Sequence, residues 1–265
     1  MKLTDDNYYS QESNEHYMSV SQFKQGVEEL GGCEAKMAAE LKGEYKRPYS
    51  TALTVGSYIH AAFESEQVFK EFQAANYETI FNKKDMKYAD FKQADKMIQT
   101  LQDDPFCMYA LTGEKENIYT GELFGIQWKI KVDNINHQNL FFSDIKSTKG
   151  LHDRYWSDRF KRYVSFVEMY GYDIQMAVYQ EIIRQNTGQL YAPYIVAVTK
   201  ENIPDKAIIH FNYETLQNAL EYVSERIESV QCAKETGIGI KCGKCEYCRS
   251  TKKLGNTISM YDLLD

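Results

Sequence analysis

Residues 126–148, IQWKIKVDNINHQNLFFSDIKST, constrain the fold more than any other stretch. Ile126, Trp128, Ile130 and Val132 alternate with Gln127, Lys129, Lys131 and Asp133, which is the period of a strand with one apolar face and with Asp133 on the polar one. A second apolar run, LFFSDIKST, follows the polar turn Asn136-His137-Gln138-Asn139, so the two runs read as a hairpin whose apolar side needs cover. Centring the hairpin on that turn sets Asp133 opposite Phe142 and on the same face as Asp144 and Lys146, because side chains two apart share a face. A slip of one residue would separate them.

Two carboxylates beside one ammonium are the groups that metal-assisted cleavage of a phosphodiester requires. The acids hold Mg²⁺ or Mn²⁺, which neutralises the phosphate and acidifies a water, and the lysine orients that water or steadies the developing charge. A surface hairpin with solvated charges is the alternative, since D-x-K arises often by chance. Leu53 to Glu64 reads as a helix whose His60 and Glu64, at i and i+4, project from one face. Gly171 to Gln180 places Gln175 and Tyr179 at the same spacing. Taken singly, the histidine equally suits a hydrogen-bonded core position, and the Gln/Tyr pair a helix surface.

The chain has 265 residues, enough for one large unit, and no run of about eighteen apolar residues. The segment MKLTDDNYYSQESNEHYMS lacks the basic and apolar regions of a signal peptide, so a cytoplasmic protein without a membrane span is expected. The net charge of −7 argues against a general nucleic-acid sponge, whose binding rests on counterion release around basic surfaces. Lys146, Lys149, Arg154, Arg159, Lys161 and Arg162 nevertheless cluster after the D-x-K, interleaved with Tyr155, Trp156 and Tyr163. Such a stretch can follow a phosphate backbone and stack on bases, or it can be an amphipathic helix with Trp156 in the core.

Residues 1–18 are polar and read as loose, with local docking of His16 and Tyr17 as the alternative. Helices are expected from Ser19 to about Leu30 and from Cys33 to Gly43, with Lys46-Arg47-Pro48-Tyr49 as the loop into the His60 helix. Residues 66–112 are helical by propensity, carry no motif and read as an insertion. Strands follow at roughly 114–120, 123–135 and 140–147, helices over 154–185, strands at 190–198 and 207–212, and a helix over 214–235. This order fits an α/β fold with a mixed central sheet flanked by helices, as one unit over 1–265 with a cysteine-containing tail from 232. Of six cysteines, Cys242, Cys245 and Cys248 stand at C-x2-C-x2-C spacing, which lets neighbouring thiolates face one ion or cluster; free thiols are the alternative. Cys232 is a candidate further ligand, and Cys107 suits a buried apolar position.

In this order, G-S-Y-I-H, V-D, D-I-K and Q-M-A-V-Y over about residues 53–180 resemble the PD-(D/E)XK nuclease superfamily, in its RecB-like exonuclease branch. The phrase TALTVGSYIHAAFE and the cysteine tail look most like phage-type exodeoxyribonuclease VIII, the RecE-like proteins. The resemblance implies a restriction-endonuclease-like fold, with His60, Asp133, Asp144 and the carbonyl of Ile145 as metal ligands and Lys146 as the catalytic lysine. It makes Gln175 and Tyr179 contacts to DNA or to the active site; the basic stretch itself offers Lys149, Arg154 and Arg159 as further DNA contacts. It further implies a [4Fe–4S] cluster on Cys33, Cys242, Cys245 and Cys248, with Zn²⁺ as the competitor because the final cysteine gap is shorter than is common. Ile130, where many relatives carry glycine, is a second departure. Degradation of linear duplex DNA from its ends, 5′ to 3′ polarity, a single-strand annealing partner, a ring-like homo-oligomer and a place in phage recombination are expectations of the resemblance alone. A DNA-end or single-strand binding module without turnover, and an endonuclease of the same fold, are the alternatives.

Overall fold

A computed structural model describes residues 1–48 and 50–263; Tyr49, the last residue of the expected entry loop, and residues 264–265 of the tail lie outside the described residues. The expected hairpin organises the sheet. Strands β1 (Glu114–Leu123), β2 (Ile126–Asn136) and β3 (Phe141–Thr148) form an antiparallel meander. Two short strands, β4 (Tyr155–Ser157) and β5 (Arg162–Val164), make a separate hairpin, and β6 (Ala192–Thr199) and β7 (Lys206–His210) return to the main sheet. Its order is β1-β2-β3-β6-β7, with β6 parallel to β3 and β7 antiparallel to β6. The sheet is therefore mixed, and the parallel step requires a crossover, supplied by a helix.

Helices cover both faces. Before the sheet come α1 (Gln11–His16), α2 (Val20–Gly26), α3 (Glu34–Leu41) and α4 (Thr51–Glu64), then the insertion α5 (Glu66–Ala75), α6 (Tyr77–Ile80), α7 (Ala89–Gln102) and α8 (Pro105–Ala110). After β5 follow α9 (Phe166–Met169) and the crossover α10 (Tyr172–Thr187), and after β7 come α11 (Tyr213–Thr236) and α12 (Glu246–Ser250). One apolar cluster joins Phe142, Ile195 and Ala197 of the sheet to Ile174 and Val178 of α10 and to Val223 and Ile227 of α11. A second joins Ile145, Val196 and Val198, which point the other way, to Val55 and Ile59 of α4 and to Phe91 and Met97 of α7. The insertion helices thus cover one face of the sheet rather than projecting from it, and Cys107 of α8 is buried among them.

The structure corrects four expectations. Residues 1–18 are ordered by specific contacts: Ser10 caps α1, Met18 is fully buried beside Trp128, and Lys129 donates to Ser13 Oγ and Asn14 Oδ1. A buried lysine on the polar face supplies donors that hold the N-terminal segment, which its polar composition did not reveal. Second, Ile135 pairs with Phe142 and Asn134 with Ser143, so the next step of that register brings Asp133 across from Asp144, two residues away from the expected alignment. The turn is His137–Leu140, because Leu140 adopts φ +51° and the Asn136 side chain accepts from Asn139 N at 2.9 Å. A shift of two residues keeps every side chain on its face, which is why the acidic pair survives the error.

Third, Val132 and Ile135 join the same apolar cluster although three residues apart, so strict alternation in β2 breaks at Asp133. Fourth, residues 155–164 are a hairpin, not the start of a helix, and Trp156 is 53% exposed. Arg159 in its loop turns inward: Nη1 lies 2.6 Å from Asp173 Oδ2, the two side chains are 5% and 3% exposed, and the guanidinium stacks on Tyr222 at 4.2 Å. That ion pair pins the hairpin to the first turn of α10, so the expectation that Arg159 meets DNA does not carry over to it. Removing one partner of a buried pair strands the other charge. Arg159→Met should therefore lose about 3–5 kcal/mol in urea unfolding, and Arg159→Met with Asp173→Leu should recover most of it.

Candidate active site

The strands and α4 bring the expected residues together at one end of the sheet. His60, in the last two turns of α4, lies with Nδ1 2.9 Å from Asp133 Oδ2 and Nε2 2.9 Å from the Ile145 carbonyl oxygen. Its position on the Ile145 face follows from α4 packing against that side of β3. Lys146 Nζ contacts Asp144 Oδ2 and sits 5.0 Å over the Tyr172 ring. A nitrogen of His60 and one carboxylate oxygen each from Asp133 and Asp144 lie within 4.8 Å of one another.

Gln175 and Tyr179 of α10 both face this group. Gln175 Nε2 donates to Asp144 Oδ1 at 2.7 Å, which fixes the carboxylate's orientation. The Tyr179 ring packs 6.4 Å from that of Phe142, and burial, with nearby acids adding, raises its hydroxyl well above the ordinary tyrosine range. Sequence reasoning missed Tyr172 and Lys24. Tyr172 was legible, since residues 172, 175 and 179 form one i, i+3, i+7 stripe on α10. Lys24 had no such signal: it arrives from α2, donates to the Tyr170 carbonyl at 2.9 Å, and is lowered to about 8 by burial and by the charge of Lys146. These residues line a cleft of about 840 Å³ between α4 and the N-terminal segment, whose walls also include Glu64, Glu116 and Lys131.

Electrostatics divide the two acids. Burial works against charge on both, but the adjacent His60 holds Asp133 below the usual carboxylate range, whereas burial and the charge of Asp133 raise Asp144. Burial likewise opposes charge on His60, and Asp133 outweighs it, raising the imidazole to about 9. Asp133 Oδ2 and Asp144 Oδ2 are buried and make no well-aligned hydrogen bond, although His60 and Lys146 lie within ion-pair range. Buried carboxylate oxygens contacted only by cationic side chains, converging with an imidazole and a backbone carbonyl, form a donor set that suits Mg²⁺ or Mn²⁺. Lys149 and Arg154 are exposed, beyond the end of β3.

The four expected cysteines also meet. Cys33, at the residue preceding α3, has its Sγ 3.6 Å from that of Cys248, and Cys242 Sγ lies 3.9 Å from Cys248 Sγ. All four sulfurs of Cys33, Cys242, Cys245 and Cys248 fall within 4.8 Å of one another. Backbone N–H groups of Cys245 and Cys248 donate to the sulfurs of Cys242 and Cys245, at 3.4 Å each. Burial raises the Cys242 thiol, but such donors outweigh it and bring it to about 7. Cys232 is exposed on α11 and stands outside this group. No helix among the described residues is long and apolar enough to cross a membrane.

Comparison with known proteins agrees with this arrangement. Residues 19–251 match the family model of a PDDEXK-like domain of unknown function (DUF3799). Among solved structures, the crystal structure of a "putative exonuclease" from Eubacterium rectale superposes with a TM-score of 0.92 and 39% sequence identity, covering 99% of this chain and 98% of that one. No curated protein matches. With V-D, D-I-K and the histidine helix placed on such a sheet, the chain belongs to the PDDEXK-like family and carries that nuclease superfamily's mixed α/β fold.

Proposed function

We propose that the protein is a metal-dependent DNA exonuclease that hydrolyses phosphodiester bonds at the ends of linear duplex DNA. The observation that carries this reading is the convergence of His60, Asp133 and Asp144 beside Lys146 in an open cleft. When bound, a divalent cation would supply Lewis acidity, neutralising the phosphate and acidifying a water. His60, Asp133, Asp144 and the Ile145 carbonyl would hold it. Lys146, fixed between Asp144 and the Tyr172 ring, is placed to orient the attacking water and to steady charge on the phosphoryl oxygens. Gln175 keeps Asp144 in its orientation, and Lys149 and Arg154 offer cations to the DNA backbone. The exonuclease named for the Eubacterium rectale protein supports action at ends, and the RecE-like resemblance supports a recombination role with an annealing partner. The shared cluster of α4, the insertion and the sheet supports treating residues 1–265 as one unit.

The cysteine site is read as structural zinc. Four thiolates around one tetrahedral Zn²⁺, with Zn–S bonds of about 2.3 Å, lie about 3.8 Å apart. The separations of 3.6 and 3.9 Å support that ion. A four-iron cubane, whose thiolates bind separate corner irons, would need them farther apart. Closing the loop from Cys33 to the C-terminal cysteines would join the two ends of the domain.

With Mg²⁺, the protein should degrade linear duplex DNA and leave covalently closed circles intact. Asp133→Asn, Asp144→Asn and Lys146→Ala should each lower the rate by about a thousandfold or more while DNA binding persists. Cutting of closed circles would favour the endonuclease, and binding without turnover in the parent chain the inactive module. Gln175→Ala, which frees Asp144 without removing a ligand, should cost about 10–100-fold in rate. Metal analysis of aerobically purified protein should find about one zinc per chain, lost in Cys33→Ser, with no absorbance near 400 nm. Stoichiometric iron and sulfide would overturn the zinc assignment.

A further inference from the structure

Trp156 and Tyr163 are left on the surface by a hairpin that is otherwise firmly anchored. They are direct partners across β4 and β5 and so share a face, with ring centroids 5.6 Å apart in an edge-to-face arrangement. They are 53% and 64% exposed. On the other face of the hairpin Ser157 and Val164 are buried and Tyr155 is half-buried, and Arg159 in the loop forms the buried pair with Asp173. The exposed rings therefore stand on a rigid support, not on a loose loop.

Two features identify what such a pair would meet. The first is charge. Lys149 and Arg154 flank the hairpin, are exposed and engage in no ion pair among the described residues. Lys161 and Arg162 add cations that pair with the exposed Asp158 at 3.6 Å and with Glu168 at 2.7 Å. The second is continuity with the active site. From Lys146 the Tyr172 ring is 5.0 Å away, Tyr172 lies 5.9 Å from Tyr170, and Tyr170 lies 5.8 Å from Tyr155 of β4. A file of aromatic rings thus leads from the catalytic lysine to the inner face of the hairpin, the face opposite Trp156 and Tyr163. Aromatic faces beside cations bind unpaired nucleotides, whose bases stack and whose phosphates are neutralised; bases in a duplex are already stacked on each other.

We infer that the β4–β5 hairpin is a platform for single-stranded DNA, on whose outer face Trp156 and Tyr163 stack unpaired bases while Lys149 and Arg154 contact the phosphates. The inference rests on the nuclease reading and gives that site its strand preference.

The test uses the full chain carrying Asp144→Asn, so that the probe, a dT20 oligonucleotide, stays intact without chelator. Trp128 is fully buried and Trp156 is the second of two tryptophans, so quenching of intrinsic fluorescence by dT20 reports on the hairpin. Saturable quenching is expected. Trp156→Ala with Tyr163→Ala should weaken dT20 binding by about tenfold or more, measured by anisotropy of labelled dT20, with an unchanged thermal unfolding midpoint. Trp156→Phe, which keeps an aromatic face, should bind within about threefold of the parent. Equal affinity in the double alanine variant would overturn the platform. So would absent quenching in a protein whose Asp144 form degrades linear duplex, and that outcome would leave the nuclease reading intact. A chain that neither degrades duplex nor binds dT20 would overturn both.

Discussion

The site depends on holding two buried carboxylates side by side. Unit charges about 4 Å apart repel by on the order of 4 kcal/mol at the effective dielectric of a protein's outer layers. One hydrogen bond, such as that from Gln175 to Asp144, contributes about 1 kcal/mol net and cannot offset this. His60 and Lys146 supply the balancing charge from opposite sides, one through a helix on the Ile145 face and the other from β3 itself. The architecture follows from that requirement. The sheet brings the acids into register, α4 delivers the imidazole, and α10, the crossover between parallel strands, delivers the glutamine that orients Asp144.

That balance is provisional in a chemically useful way. The cations beside the acids approach oxygens that still lack well-aligned hydrogen bonds. A divalent ion would satisfy those oxygens directly, whereas a histidine and a lysine satisfy them only by proximity. Asp133 and Asp144 are pushed in opposite directions, because the imidazole outweighs burial at Asp133 whereas burial, with the charge of Asp133 added, prevails at Asp144. Neighbouring acids whose affinities for the proton are pushed in opposite directions are a mark of sites built for chemistry rather than for stability.

How much of this was legible in the sequence depended on which periodicity carried the signal. Strand alternation and the D-x-K spacing located Asp133, Asp144 and Lys146 on one face, and an even register error did no harm. The i, i+4 spacing put His60 with Glu64, and Gln175 with Tyr179, on single helix faces, and only the resemblance turned those faces toward the site. The cysteine spacing of the tail, with the resemblance adding Cys33, named a group that the fold closes across more than two hundred residues. Contacts made by single residues across long separations were not legible. Lys129, inside the wall of the cleft, holds a segment whose polar composition suggested disorder. Arg159 looked like one member of a basic run until Asp173, on another element, claimed it. Trp156 read equally well as core or surface, because a three-residue strand leaves too little pattern to tell a hairpin from a helix.

The central claim is that His60, Asp133 and Asp144 form one cation site, and the most direct measurement is a crystal structure of the protein soaked with Mn²⁺. The account predicts an anomalous peak bonded to a ring nitrogen of His60, to oxygens of both aspartates and to the Ile145 carbonyl, with Gln175 still donating to Asp144. A soaked crystal in which His60 keeps both its contacts, to Asp133 and to the Ile145 carbonyl, while Mn²⁺ binds elsewhere or nowhere would contradict it.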